Sequence, residues 1–106
     1  MQLHASALGV GAGTDVQLIA APGAGKRITT LGMAVSTLTA TVVSLIDSLN
    51  AANTKLWNFG ANGHAEPSSP RWELSNNAAL QYTTSAAGPT SIEVDYVIEA
   101  TGGTGN

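Results

Sequence analysis

The stretch SIEVDYVIEA, residues 91–100, decides the fold. Apolar side chains fill its even positions from Ile92 to Ile98, and acidic side chains fill most of its odd positions, with Val97 as the exception. A period of two residues places alternate side chains on opposite faces of a β-strand. The stretch therefore predicts a strand with one buried face and one wet, acidic face, as is usual in antiparallel sheets.

The same period recurs towards the N-terminus. In ITTLGMAVS, residues 28–36, apolar side chains occupy positions 31, 33 and 35, and Gly32 is expected to mark a β-bulge. The stretch TATVVSLIDS, residues 39–48, is apolar on both faces, so we expect both of its sides to be covered. Shorter stretches with a strand pattern are TDVQLIAA (14–21), NTKLWNFG (53–60), PRWELS (70–75) and ALQYTTS (79–85).

Clusters of turn-forming Gly, Pro and Asn residues separate these stretches. About seven or eight short strands at this spacing predict an all-β domain, namely an antiparallel β-sandwich with a jelly-roll-like architecture. One alternative stays open for SLIDSLNAANTKLW, residues 44–57, where the apolar side chains approach the spacing of a helix.

The length of the chain predicts its domain organisation. A chain of 106 residues is long enough to bury one core and too short for two. We expect a β-sandwich domain over residues 14–100. The flanking residues 1–13 and 101–106 are expected to form a flexible N-terminal arm and a flexible tail, because their Gly-rich segments cannot bury enough surface to order themselves.

The charge pattern argues against two kinds of partner. Four Lys and Arg against seven Asp and Glu give a net charge of -3, whereas nucleic-acid binding needs a basic patch. Residues 28–46 are uncharged, but seven of them are Ser or Thr, so two strands explain them better than a membrane span does. We therefore expect no nucleic-acid partner and no membrane partner.

The short motifs do not assemble a chemical site. PGAGK, residues 22–26, has Ala20 where a phosphate-binding loop needs its first glycine and Arg27 where it needs Ser or Thr, so we expect a hairpin turn there. HAEP, residues 64–67, shares the His-x-Glu of zinc deaminases, but those enzymes need cysteine ligands and this chain has no cysteine. Glu93 and Asp95 are expected to form a solvated face or a salt bridge to a neighbouring subunit. We expect no catalytic residue, no metal and no cofactor.

The order of the segments resembles that of small structural proteins of tailed bacteriophages. APGAGKRITTLGMAVST, residues 21–37, precedes a Thr/Val strand, a Trp strand, a long polar loop, a second Trp strand and the closing SIEVDYVIEA. Head decoration proteins, also called cement proteins, are the group it is most similar to. The resemblance implies a non-enzymatic virion protein on the outer capsid surface, made in the host cytoplasm. It also implies binding to the major capsid protein and self-association, with a trimer favoured.

The two-sided apolar strand over residues 40–46 and the N-terminal arm are the expected sites of subunit contact. The candidate interface residues are Val42, Val43, Leu45, Ile46, Trp57, Phe59 and Trp72. An alternative is a receptor-binding or carbohydrate-binding head of a fibre or spike, which predicts exposed and clustered Trp57, Trp72 and Tyr82. A neck or tail component of the virion is a further alternative.

Overall fold

The computed structural model describes residues 2–66, 71–85 and 89–101 of the chain. Within these ranges all regular structure is β, which confirms the all-β prediction, and no helix has the length and apolarity needed to cross a membrane. The nine strands are β1 (Leu3–Val10), β2 (Gly13–Ile19), β3 (Lys26–Thr37), β4 (Thr41–Asp47), β5 (Asn50–Phe59), β6 (Gly63–Ala65), β7 (Trp72–Glu73), β8 (Leu80–Thr84) and β9 (Thr90–Ala100).

The strands form two antiparallel sheets that pack as a sandwich. Sheet A has the order β1-β9-β3-β6, with β7 also paired to β3, and sheet B has the order β2-β8-β4-β5. The pairs are nested along the chain, because β1 pairs with β9, β2 with β8, β3 with β6 and β7, and β4 with β5. The chain is thus one long antiparallel hairpin, rolled up so that β9 also pairs with β3 and β8 with β4.

The core lies between the inner faces of the two sheets. In β4, Val43 and Leu45 are fully buried, and in β9 the same holds for Ile92 and Val94. This alternation confirms the face predicted for residues 91–100 as far as Val94. Ile98 remains 36 % exposed, because β1 begins at Leu3 opposite Tyr96 and leaves the last part of β9 without a neighbour on that edge.

Two details of β3 and β4 also follow the sequence. The register between β3 and β9 shifts between Thr30 and Gly32, which confirms the bulge predicted at the glycine. The segment 44–57 contains most of β4 and β5, so the helical alternative is wrong. The two strands pair along their length, and these long-range pairs override the local helical spacing.

The PGAGK segment does not form a hairpin turn. It belongs to the loop from β2 to β3, which crosses from sheet B to sheet A. The backbone N–H of Gly23 donates to the side-chain oxygen of Asn77 at 2.9 Å, and that of Gly25 donates to Asn76 at 2.8 Å. These amides are therefore engaged within the chain. The hairpin prediction was wrong because the paired strands are distant in sequence.

The predicted N-terminal arm is also different in the structure. Residues 3–10 form β1, which pairs with β9, and β2 already begins at Gly13. The reason is that HASA alternates polar and small apolar side chains, so Ala5 and Ala7 face the core while His4 and Ser6 face outwards. In the tail, residues 102–106 lie outside the described residues.

Candidate interaction surface

The structure divides the predicted interface residues between the inside and the outside of the sandwich. Val43 and Leu45 are fully buried between the sheets, and Trp72 is 8 % exposed in the same core. These three side chains are unavailable to a partner, so their assignment to a subunit interface was wrong. The error arises because β4 is apolar on both faces, and the sequence does not say which face meets the other sheet.

Trp57 and Phe59 also lie on the inner side. They stand opposite Val43 and Thr41 in the pairing of β5 with β4, and both are partly buried against the core. Because both side chains remain partly exposed on the edge strand, their place in a subunit contact stays a prediction. Phe59 further packs against the backbone of Gly63, where a Cβ atom would come within 2.6 Å of the ring.

The aromatic residues do not form an exposed platform. Trp72 is held inside by a hydrogen bond from its ring N–H to Asn53 Oδ1 at 2.7 Å, and the Lys55 ammonium lies 5.8 Å from the centre of its ring. Tyr82 is 7 % exposed. The carbohydrate-binding alternative predicted Trp57, Trp72 and Tyr82 in an exposed cluster, and the burial of the last two contradicts that arrangement.

Val42 and Ile46 are the two predicted interface residues that point outwards. They alternate with the buried residues of β4 and flank Ser44, which stands opposite Leu56 of β5. Leu56 is 57 % exposed, and the sequence analysis did not single it out. The period of two residues could have identified Leu56. It places Leu56 between Thr54 and Asn58 on the polar side of β5, opposite the side that carries Trp57 and Phe59.

These residues belong to a larger surface, which we call the neutral face. It is the outer side of sheet B, and the pairing registers place nine side chains on it. They are Gln17, Val42, Ser44, Ile46, Thr54, Leu56, Asn58, Gln81 and Thr83. None of the nine carries a charge, and the apolar ones lie together around Ser44. The one charged residue of β2, Asp15, lies beside them at the edge of the sheet, where its backbone N–H donates to the Thr83 hydroxyl at 3.0 Å. Such a surface can be buried against another protein without leaving a charge unpaired.

The outer side of sheet A, which we call the charged face, has the opposite character. Its charged and titratable residues are His4, Arg27, His64, Glu66, Arg71, Glu73, Glu93, Asp95 and Glu99. With histidine neutral, the two arginines and five carboxylates leave a charge of -3 on this face, the same as the net charge of the chain. The net charge of the chain is therefore on the side away from the neutral face.

One end of the charged face is an ion-pair network. The Arg27 guanidinium lies 3.3 Å from the Glu73 carboxylate and 3.6 Å from that of Glu99, and Arg71 reaches the same two carboxylates at 3.2 and 3.7 Å. A hydrogen bond from the Thr29 hydroxyl, together with the two arginines, lowers the pKa of Glu99. The network joins β3, β7 and β9 on the outside of sheet A.

At the other end of the charged face, His4 lies between two carboxylates. His4 Nδ1 is 2.7 Å from Asp95 Oδ1, and His4 Nε2 is 3.5 Å from Glu93 Oε1. The hydrogen bond to Asp95 raises the pKa of His4, and the negative charges of both acids add to this effect. The acidic pair predicted on β9 therefore forms its salt bridge within the chain, to the first strand.

The HAEP segment contributes a surface ion pair. His64 Nε2 lies 2.9 Å from Glu66 Oε2, both side chains are exposed, and Pro67 lies outside the described residues. Across the part of the chain that the structure describes, no three His, Cys, Asp or Glu residues are grouped so that they could hold a metal ion. A groove of about 390 Å³ lies next to His64. It is lined by polar side chains together with Leu38 and Pro89.

Among the solved structures that align with the chain are two viral capsid or coat proteins and an enzyme. A chain of the cyanophage Pam1 capsid asymmetric unit aligns with a TM-score of 0.52 and 12 % identity, covering 91 % of this chain and 82 % of that chain. The tobacco streak virus coat protein aligns with a TM-score of 0.41 and 8 % identity, covering 93 % and 86 % of the two chains. The dTDP-4-dehydrorhamnose 3,5-epimerase of Elizabethkingia anophelis gives 0.34 and 13 %, covering 90 % and 48 %.

These comparisons define the fold of the chain. No family model matches the sequence, and no curated protein is significantly similar to it. The first alignment shows that this β-sandwich is shared with a chain of a phage capsid. The other two have TM-scores below 0.5 and carry no argument here.

Proposed function

We propose that this protein is a non-enzymatic structural protein of a tailed-phage virion. In this proposal it is made in the host cytoplasm and then binds the outer surface of the capsid, where it stabilises the shell. The fold shared with a chain of the Pam1 capsid asymmetric unit supports the virion assignment. The nested strand pairing supports it too, because we interpret this order as a jelly roll, an architecture that recurs in viral capsid domains.

The observation that carries the proposal is the neutral face. Leu56 is 57 % exposed on the edge strand β5, and the half-buried Val42 and Ile46 lie beside it on the neighbouring strand β4. Exposed apolar side chains on an uncharged surface are typical of a protein contact. We infer that copies of the chain meet through this face, with a trimer favoured. Three neutral faces turned towards a threefold axis bring no like charges together.

Contact with the major capsid protein completes the proposed role. A symmetric oligomer presents the same surface several times, so modest contacts to repeated capsid subunits add up through multivalency. A weak single contact is therefore sufficient for firm attachment to the shell. Binding of this kind needs no catalytic group, metal or cofactor.

The test is the mass of the purified protein by light scattering after size exclusion, followed by co-sedimentation with phage heads that lack the protein. The proposal expects a symmetric oligomer that sediments with the heads. A monomer that stays in the supernatant contradicts it. An oligomer that does not bind heads contradicts the decoration role and leaves a neck, tail or fibre component as the better assignment.

A pair of leucine variants tests the neutral face itself. Leu56→Asp is expected to shift the protein to the monomer, because it places a carboxylate in the proposed contact. The matched control is Leu49→Asp in the turn between β4 and β5, since Leu49 is 66 % exposed but lies outside the neutral face. Both variants are expected to remain folded by circular dichroism. Equal masses for the two variants would remove the neutral face from the interface.

A further inference from the structure

Strand β1 is the most loosely attached long strand of sheet A. It lies at the edge of the sheet and, among the described strands, pairs with β9 alone. All eight of its residues are described, and none of their side chains is fully buried. Its inward residues include Ala5 and Ala7, whose small side chains bury little apolar area. By contrast, β3 holds fully buried residues between Ile28 and Val35, and β9 between Thr90 and Val94.

The position that β1 occupies nevertheless requires a strand. Without it, one edge of β9 would have unpaired backbone groups, and the fully buried Ile92 and Val94 would lose their cover. The occupant must alternate small inward and polar outward side chains in the register of β9. The β1 strand of a second copy meets this requirement by identity, because it forms the same pairs.

The link between β1 and β2 has the features of a hinge. It consists of Gly11 and Ala12 alone, and the strand registers are irregular on both sides of it. Gly9 has a φ of 63° and Asp15 a φ of 50°, so the backbone on each side of the link passes through the left-handed region, which glycine and aspartate adopt more readily than other residues. A tight two-residue connection of this kind favours exchange of the strand it carries, because the link can open into an extended segment between two copies.

The remaining attachments of β1 are polar and accessible. His4 is bound to Asp95 and Glu93, and all three side chains are about half exposed. Exposed ion pairs of this type add little to stability. The backbone N–H of Gly9 donates to the Ser91 hydroxyl at 3.1 Å, also on the surface. Water can therefore replace these contacts while the strand moves from one copy to another.

We propose that β1 is exchanged between copies of this chain, so that in the oligomer it pairs with β9 of a neighbouring copy. The pairs between β1 and β9 are the same whether β1 stays in its own chain or pairs with a neighbouring copy. Only the link around Gly11 and Ala12 changes its conformation. A cyclic exchange of this kind closes a ring and ties the copies together. The inference rests on the proposed function only in that it requires self-association.

The absence of natural cysteine allows a direct test. Ser6→Cys and Glu93→Cys are placed on separate chains, which are mixed in denaturant, refolded together and oxidised. Ser6 and Glu93 are direct partners between β1 and β9, a separation that a disulfide can span. The matched control mixes Ala34→Cys with Glu93→Cys, because Ala34 is the partner of Glu93 on β3, which stays within one chain.

Exchange predicts a covalent dimer on non-reducing gels for the Ser6→Cys and Glu93→Cys mixture, and none for the control mixture. Two results overturn it while leaving the proposed function intact. One is an oligomer that binds phage heads but gives no covalent dimer in either mixture. The other is an equal yield of dimer in both mixtures, since the cross-link would then not depend on β1. A monomer in light scattering overturns both the exchange and the proposed self-association.

Discussion

The two outer faces of the sandwich differ in how many charged side chains they have. The charged face of sheet A has five carboxylates and two arginines, and ion pairs join residues of its strands. The neutral face of sheet B has no charged side chain among its nine residues. Two charged residues of β4 and β5, Asp47 and Lys55, are instead on the inner side of that sheet.

This difference indicates which side of the molecule is suited to remain hydrated and which is suited to contact another protein. A charged surface gains from hydration, and burying it against a second copy would bring like charges together. A surface of Gln, Thr, Ser and a few apolar side chains loses much less when water is removed. The comparison therefore favours the neutral face as the site of self-association and leaves the charged face to solvent.

The largest expected effect is the difference in the free energy of unfolding between substitutions on the inner and outer sides of β4. Leu45→Ala should lower the free energy of unfolding by about 2–5 kcal/mol, because it opens a cavity in the core. Ile46→Ala, one residue along and on the neutral face, should cost about 1 kcal/mol or less. Denaturant unfolding of both variants measures the difference. Similar losses would mean that the neutral face is already covered within the chain.

The second prediction concerns the carboxylate of Asp47, which is buried on the inner side of sheet B. Asp47 is 1 % exposed and accepts hydrogen bonds from the backbone N–H and hydroxyl of Ser75, both at 2.7 Å, and from the Asn53 amide and the Leu49 N–H. Asp47→Ala should cost about 3 kcal/mol, because it leaves these buried donors without an acceptor. Thermal unfolding at neutral pH measures the loss.

The same residue gives an acid dependence with a defined sign. Burial opposes the ionisation of Asp47, but the hydrogen bonds from Ser75, Leu49 and Asn53 together lower its pKa below the ordinary value of 3.8. Its contribution is therefore present above the unfolded pKa and is lost as pH falls through the folded pKa. Melting curves at decreasing pH should show a shallower acid decline for Asp47→Ala than for the native chain. Parallel declines would contradict this.

The third prediction sharpens the contrast between the faces through salt. Self-association through the neutral face should change little between low and high salt, because no charged side chain lies in it. Sedimentation equilibrium over a salt series measures the association constant. A steep loss of association with salt would place charged residues, and hence the other face, in the contact.

The smallest expected effect belongs to His4 on the charged face. Because Asp95 and Glu93 raise its pKa above 6.5, its contribution to folding is fully present below that value and is lost as pH rises through the folded pKa. Melting temperatures measured across neutral pH should therefore fall slightly in the native chain and stay flatter in His4→Gln. Ser6→Ala keeps the histidine and serves as the control. An identical profile for His4→Gln would exclude the pair as a contributor.

Strands with one apolar and one polar face could be predicted from the sequence. The alternation in residues 91–100 and the glycine at position 32 anticipated β9 and the bulge of β3, since both are local features. β4 marks the limit. Both of its faces are apolar, so the pattern predicts a strand but does not say whether Val43 or Val42 enters the core. The candidate interface was wrong for that reason at Val43 and Leu45.

β1 was missed for a different reason. Alanine and serine are weak strand formers, and the glycines after residue 8 suggest a flexible arm. The strand forms because β9 offers it a complete edge more than eighty residues away, with His4 opposite Asp95. The local sequence shows this pairing only as the short alternation of HASA, whose small alanine side chains do not by themselves predict a strand.

The sequence by itself determined the strand class, the bulge at Gly32 and the low charge of the chain, because these depend on side-chain type and short-range period. Only the tertiary structure decided which side of each apolar strand is buried, where the charges gather and whether residues 3–10 pair. Those outcomes follow from how β1 to β9 are nested and rolled into two sheets. The neutral face exists because β2 and β8 join the β4–β5 hairpin in one sheet and turn uncharged side chains to the same outer side.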